Sequence, residues 1–192
     1  KHFKIMKIKI ATGKKSLSLN ILGSYLEKAV KHMDLGEGTL SYPITLDKFV
    51  VNTSDAIPEI IIGSDKIVEL SVERTNNEEI NYTPKLHYCK GSDLTKTSEN
   101  LINWNEIFKI GDNKSKPDAK ITISPDGFLY VSSDDTYKKC SIELQSEAPT
   151  MERYISYSVV LSLNMEITKD GSKKRLYFIL DPLMKVSSNQ GR

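Results

Sequence analysis

Apolar residues in this chain recur mostly at every second position, and that spacing predicts strands along most of its length. The longest run is Ile155, Tyr157, Val159, Leu161, Leu163, Met165 and Ile167, with Ser156, Ser158, Ser162, Asn164 and Glu166 in the opposite phase. Successive side chains of a strand point to opposite faces, so this pattern describes a long, half-buried strand. Lys169-Asp170-Gly171-Ser172 then reverses the chain, and Leu176, Phe178 and Leu180 form an antiparallel return strand that Asp181-Pro182 stops. A second hairpin is predicted where Lys120 to Ser124 and Phe128 to Ser132 flank Pro125-Asp126-Gly127. Proline presets one backbone torsion there and glycine permits a positive one.

Further strands are predicted at Val50-Val51, at Pro58 to Ile62, and through the alternation of Val68, Leu70 and Val72. Ile80 to Tyr82 and Leu86 to Tyr88 continue the series across Pro84, which implies an edge position or a break there. Phe3 to Ile10 reads as a strand whose two apolar phases are reconciled by a bulge near Met6-Lys7. One segment changes period. Leu22, Tyr25, Leu26, Ala29, Val30 and Met33 fall at helical spacing and predict an amphipathic helix over 18–34, capped by Ser18 or Asn20 and stopped by Gly36 or Gly38. Residues 111–118 read as a surface loop. The expected fold is an antiparallel β-sandwich in which residues 1–192 form one domain with that single helix near the start; a mixed α+β sheet is the alternative. No repeat at a fixed period occurs, which removes solenoids and propellers.

The near-balance of 27 Lys and Arg against 25 Asp and Glu gives a net charge of +2, too small a global field to draw in nucleic acid. Basic clusters such as Lys14-Lys15, Lys138-Lys139 and Lys173-Lys174-Arg175 lie beside turn signals and read as solvated hairpin ends. No run of apolar residues approaches the roughly 20 needed for a membrane-spanning helix. The first residues also lack the apolar core of a signal peptide, which leaves the compartment open. Cys89 and Cys140 permit one disulfide or two reduced, buried thiols, and the second reading fits a chain this poor in cysteine. Three glycosylation triplets, at Asn52, Asn81 and Asn113, are read as chance occurrences.

Catalytic signatures are sparse. The histidines are His2, His32 and His87, and no serine lies in a Gly-x-Ser-x-Gly elbow. His87 and Cys89 are two apart on a predicted strand, so they share a face, and a partly buried pair is a better reading than a metal site because no second pair accompanies them. Thr12-Gly13-Lys14-Lys15-Ser16 lacks the spaced glycines of a phosphate loop and reads as an ordinary strand-to-helix connection. Asp134-Asp135 and Glu78-Glu79 sit among polar residues, whereas acid–base catalysis needs environments that drive two carboxyl pKa values apart. Asp112-Asn113 would need further oxygen ligands to hold calcium, and Lys114 and Lys116 oppose it. No metal or cofactor is implied.

The aromatic content points toward surfaces instead. Nine tyrosines outnumber five phenylalanines, and Trp104 lies between Asn103 and Asn105. Tyr and Trp pair apolar area with a polar handle, which suits sugar or protein contacts. The leading functional expectation is a non-enzymatic structural or interaction protein that works by self-association or by binding a protein partner. A carbohydrate-binding module using Trp104, Asn103 and Asn105 on a glycan is the first alternative. A hydrolase built around one of the histidines is the second.

The C-terminal hairpin also carries a family likeness. Tyr157-Ser158-Val159 with the alternating strand after it, then Leu176-Tyr177-Phe178-Ile179-Leu180-Asp181-Pro182 and Val186, resembles the ending of the bacterial inclusion-body proteins PixA and AidA over about 35 residues. In that family a long strand leads to Tyr-Phe-x-x-Asp-Pro, as in Tyr177-Phe178-Ile179-Leu180-Asp181-Pro182; Ile179-Leu180 replaces the aromatic pair usual directly before Asp-Pro, and the family's central Gly-Asp-x-Ile-Arg-Trp segment is not located in this chain. The resemblance implies a compact β-sandwich that accumulates in the bacterial cytoplasm as ordered inclusions, with no active site.

Overall fold

The computed structural model describes residues 4–12, 15–22, 38–45, 50–52, 59–74, 82–94, 102–111, 120–167, 172–181 and 183–188. Within them the chain forms thirteen strands and one 3-10 turn, Trp104–Glu106. The strands are β1 (Lys4–Thr12), β2 (Lys15–Leu22), β3 (Ile44–Thr45), β4 (Val50–Asn52), β5 (Glu59–Ile62), β6 (Ile67–Arg74) and β7 (Tyr82–Asp93), followed by β8 (Ile121–Ile123), β9 (Leu129–Ser132), β10 (Lys139–Glu143), β11 (Glu152–Ile167), β12 (Ser172–Leu180) and β13 (Leu183–Ser188).

They assemble into two sheets. A five-stranded sheet runs β10-β6-β1-β2-β4, and an eight-stranded sheet runs β3-β12-β11-β7-β9-β8 with β13 and β5 added beside β11. Strict alternation explains which face each strand buries. Ile8 and Ile10 of β1, Val68, Leu70 and Val72 of β6, and Cys140 and Ile142 of β10 are buried, and they join Ile155, Val159, Leu161 and Leu163 of β11 in one apolar cluster. Each such aliphatic side chain contributes about 1.5–3 kcal/mol when fully buried.

β11 is the spine of the larger sheet. β7 pairs with it from Ile155 to Met165, while its other side pairs first with β13 and then with β12. The predicted hairpins are present: Leu161 faces Phe178 across β11 and β12. Gly127 adopts φ 87° in the Pro125-Asp126-Gly127 turn. Pro84 lies inside a continuous β7, where β11 pairs on one side, and β9 pairs only with Tyr88 to Gly91. The missing amide therefore falls where β7 is locally an edge.

Four expectations are corrected. The predicted helix over 18–34 begins in what is strand β2, paired antiparallel to β1 from Thr12↔Lys15 to Lys4↔Leu22, so Ser18 and Asn20 are ladder residues and not helix caps. The remainder of that segment, 23–34, lies outside the described residues. Thr12 to Lys15 accordingly joins two strands, not a strand to a helix. The bulge in β1 falls between Lys4 and Met6, one position before the expected one. Finally, the sandwich is not wholly antiparallel: β3 pairs parallel with β12 and β5 pairs parallel with β13. The loop expected at 111–118 lies almost wholly outside the described residues.

Candidate functional site

The outward faces of the two sheets differ in chemistry. On the five-stranded sheet the solvent-side positions are Lys7 and Lys9 of β1, Glu69, Ser71 and Glu73 of β6, and Lys139, Ser141 and Glu143 of β10. Opposite charges interleave there; Lys139 Nζ lies 3.4 Å from a Glu69 carboxylate oxygen. This is an ordinary neutralised solvent face.

The eight-stranded sheet presents aromatic and basic residues instead. Cross-strand register places Tyr130, Lys90 and Ser158 in one row, Ser132, Tyr88, Val160 and Ile179 in the next, and Lys85, Ser162 and Tyr177 in a third, with Asn164 and Arg175 beyond. Residues opposite one another on a sheet share a face, so these side chains form one surface. Lys90 Nζ sits 3.9 Å from the Phe128 ring centroid and 5.8 Å from that of Tyr130, and Lys85 Nζ lies 5.0 Å from that of Tyr137. Tyr88 and Tyr130 are tilted partners at 6.1 Å. Val160 is 4% exposed although its register places it in the outward phase.

A β-bulge builds the centre of this surface. Val160 pairs with Tyr88 and Leu161 with Leu86, leaving His87 as the extra residue on β7. The bulge turns both His87 and Tyr88 outward while Cys89 faces the core, so His87 and Cys89, two apart in sequence, lie on opposite faces. That corrects the shared-face reading. His87 Nε2 is 2.7 Å from Ser162 Oγ, and the imidazole lies between Tyr137 and Tyr177, with centroid separations of 5.7 and 5.6 Å. Burial, with Arg175 and Lys85 nearby, holds its pKa below the ordinary 6.5. The pair has the atoms of a nucleophile and a base, but Ser162 is 0% exposed. No carboxylate among the described residues is hydrogen-bonded to His87 to orient it, as a catalytic triad requires.

Tyr137 reaches this face from the turn between β9 and β10. Its φ of 56° is left-handed, where only glycine is comfortable. Asp134 holds the turn: its carbonyl accepts from Tyr137 N at 3.0 Å, and its carboxylate accepts from Lys138 N at 3.0 Å, Lys139 N at 3.2 Å and the Thr136 hydroxyl. These donors keep the Asp134 carboxyl below its usual range. Asp134 is thus a turn residue, and Asp135 pairs with Lys120 at 3.4 Å.

The residues expected to bind a ligand are placed elsewhere. Trp104 is 2% exposed, stacks near Phe108 at 6.2 Å, and donates from Nε1 to the Gly127 carbonyl at 2.8 Å. Its indole is a core element and offers no ring face to a glycan, which corrects the carbohydrate reading. The polar neighbours have a local use: Asn103 Oδ1 accepts from Asn105 N at 3.2 Å and caps the 3-10 turn that points Trp104 inward. Trp104 also lines an apolar cavity of about 70 Å³ between the sheets, with Cys89, Gly91, Leu129, Ile155 and Tyr157 among its walls. Both cysteines carry free thiols. Burial pushes the Cys140 thiol up to about 12 and that of Cys89 higher still.

No group of three or more His, Cys, Asp or Glu among the described residues could hold a metal ion, and no helix among them is long and apolar enough to cross a membrane. His2, His32, Glu78, Glu79 and Asp112-Asn113 lie outside the described residues. What the sequence reading missed is the outward row of Lys85, Tyr88, Lys90, Tyr130, Tyr137, Arg175 and Tyr177. Its signal was available in part: Lys85 and Lys90 lie within β7 on either side of Leu86 to Cys89, and tyrosines take the solvent phase of β9 and β12 where Ser or Thr would serve.

No protein-family model matches the chain, and no curated protein matches it. Among solved structures it is similar to the crystal structure of the seventh ScaB type I cohesin from Pseudobacteroides cellulosolvens, at 14% identity and a TM-score of 0.30, over 71% of this chain and 90% of that one.

Proposed function

We propose that the chain is a non-enzymatic interaction protein that binds a protein partner through the outer face of its eight-stranded sheet. One observation carries this reading: that face holds Tyr88, Tyr130, Tyr137, Tyr177, Phe128, Lys85, Lys90 and Arg175, while the other sheet has a charge-balanced face. Protein interfaces are enriched in Tyr and Arg at their energetic centres, Tyr because it buries a large area with few rotatable bonds and Arg because its planar guanidinium makes several hydrogen bonds at once. Tyr137 supports it further. A left-handed backbone costs an L-residue about 1–2 kcal/mol, so the ring is retained where glycine would suit the fold better. The sealed His87–Ser162 pair favours a positioning role for that histidine over catalysis.

Self-association, including the inclusion-forming behaviour that the PixA and AidA resemblance implies, is the version in which a second copy is the partner. The test is site-specific photo-crosslinking from position Tyr130 and, as a control, from position Ser141 on the other face. A defined adduct formed from the first position only, competed by the wild-type chain and not by a Tyr88→Ala/Tyr130→Ala variant, supports the reading. Equal adducts from both faces would refute it. An adduct of twice the chain mass identifies the self-associating version.

A further inference from the structure

Resting on that reading, we infer that the partner presents an acidic, extended segment of about seven residues that lies across β7, β11 and β12. The argument begins with the charges. Lys85, Lys90 and Arg175 share the face, and among the described residues no carboxylate lies within ion-pair distance of any of them. Arg175 instead donates from Nε to Asn164 Oδ1 at 2.7 Å. The nearby carboxylates are engaged: Asp181 with Ser158, Asp135 with Lys120, and Asp134 with its own turn. The lowered pKa of His87, caused after burial by Arg175 and Lys85, reports the same uncompensated positive field.

Spacing then sets the length of the occupant. Lys85 and Lys90 lie opposite Ser162 and Ser158, four residues apart on β11, which is about 13 Å of strand. Arg175 lies opposite Asn164, one row past Lys85 and two strands away from β7. With strands about 4.8 Å apart, the span from Lys90 to Arg175 is roughly 22 Å, the reach of about seven extended residues. Between the cationic rows lie the half-buried apolar side chains of Tyr88 and Ile179, on either side of the buried Val160. The complementary segment therefore carries carboxylates near both ends and an apolar or aromatic side chain between them. Aromatic rings under Lys85 and Lys90 fix the ammonium positions in advance, which lowers the ordering cost of binding.

The probes are three synthetic decapeptides built on one aromatic-centred sequence, flanked by Glu, by Gln or by Lys, together with a deoxythymidine decamer. Binding to the full chain is followed by fluorescence anisotropy and by amide chemical-shift mapping. The expected result is that the Glu peptide binds at least tenfold more tightly than the Gln peptide, shifts amides of β7, β11 and β12, and weakens as salt rises. Lys85→Glu/Lys90→Glu should lose at least tenfold in affinity with an unchanged circular dichroism spectrum, and Lys85→Arg/Lys90→Arg should retain it. Equal binding of Glu and Gln peptides on this face would overturn the acidic partner while leaving the protein-binding face intact. Shifts confined to other surfaces would overturn both. Preferential binding of the decamer would assign the face to single-stranded nucleic acid, and a dimer in light scattering that Tyr130→Ala dissolves would assign it to a second copy; either result overturns the inference.

Discussion

The Tyr157 ring packs between the sheets with 5% of its surface exposed, and its hydroxyl has no hydrogen-bond partner among the described residues. A buried hydroxyl without a partner costs about 1–3 kcal/mol relative to one that water solvates. Tyr157→Phe deletes that oxygen and leaves the ring in place, so the packing it forfeits is a few contacts of about 0.1–0.2 kcal/mol each. The net expectation is a gain of about 1–2 kcal/mol. In a chain of this size 1 kcal/mol moves the melting temperature by about 2–4 °C, so the midpoint should rise by roughly 2–8 °C. Urea unfolding provides the measurement, with an unchanged slope showing that only stability changed. The same deletion should act at high pH. Burial raises the Tyr157 pKa well above its ordinary 10.0, with Cys89 adding to it. Stability from a raised folded pKa is fully present below the unfolded pKa and is lost as pH rises beyond it, because the unfolded chain ionises first. The variant should therefore lose less stability above pH 10 than the wild type does. A fall in stability of 1 kcal/mol or more on Tyr157→Phe would refute the reasoning and show that the hydroxyl is satisfied in the folded protein.

Other substitutions follow from the same core and face. Gly91 is buried on β7, and an added Cβ would sit 3.5 Å from Trp104 and 3.7 Å from Ile155, ordinary contact distances at the cavity wall, so Gly91→Ala should stabilise by about 0.4–1 kcal/mol in urea titrations. Cys89 and Cys140 have raised folded pKa values against an ordinary 9.0, so stability should fall as pH rises from there toward about 12; Cys89→Ala and Cys140→Ala should each flatten the slope, by up to about 1.4 kcal/mol per pH unit. His87 is the opposite case: its depressed folded pKa gives stability that is present above 6.5 and lost as pH falls, and His87→Gln should remove that component when urea midpoints are compared on either side of 6.5. Tyr137→Gly should raise the urea midpoint by relieving a left-handed tyrosine that is 43% exposed, while weakening partner binding; a loss above about 1 kcal/mol would show that the ring packs as core.

The strands of this protein were legible where alternation was strict. Ile155 to Ile167 and the Pro125-Asp126-Gly127 turn have local causes, a period of two and a torsion that glycine permits, so no distant residue had to be known. Local pattern also held the answer at Ser16-Leu17-Ser18-Leu19-Asn20-Ile21, which alternates perfectly and is β2. The helical spacing after Leu22 masks that alternation, and with it the fact that the connection from Thr12 to Lys15 joins two paired strands and not a strand to a helix.

The candidate surface was out of reach for a different reason. Sequence alone assigns a phase to each strand, so it determined that Tyr130, Tyr177 and Lys90 belong to the phase opposite the core. It could not determine that these phases lie side by side, since β7, β9, β11 and β12 meet through pairings between residues up to 83 positions apart, as Tyr82 and Met165 are. Nor could it place the bulge that separates His87 from Cys89, because an extra residue is defined only against the partner strand it fails to match. Trp104 shows the converse: its asparagine neighbours suggested exposure, yet the turn they cap and the Gly127 carbonyl it meets made it core. Local periodicity determined what each strand buries; pairing register, a long-range property, decided which residues form a surface.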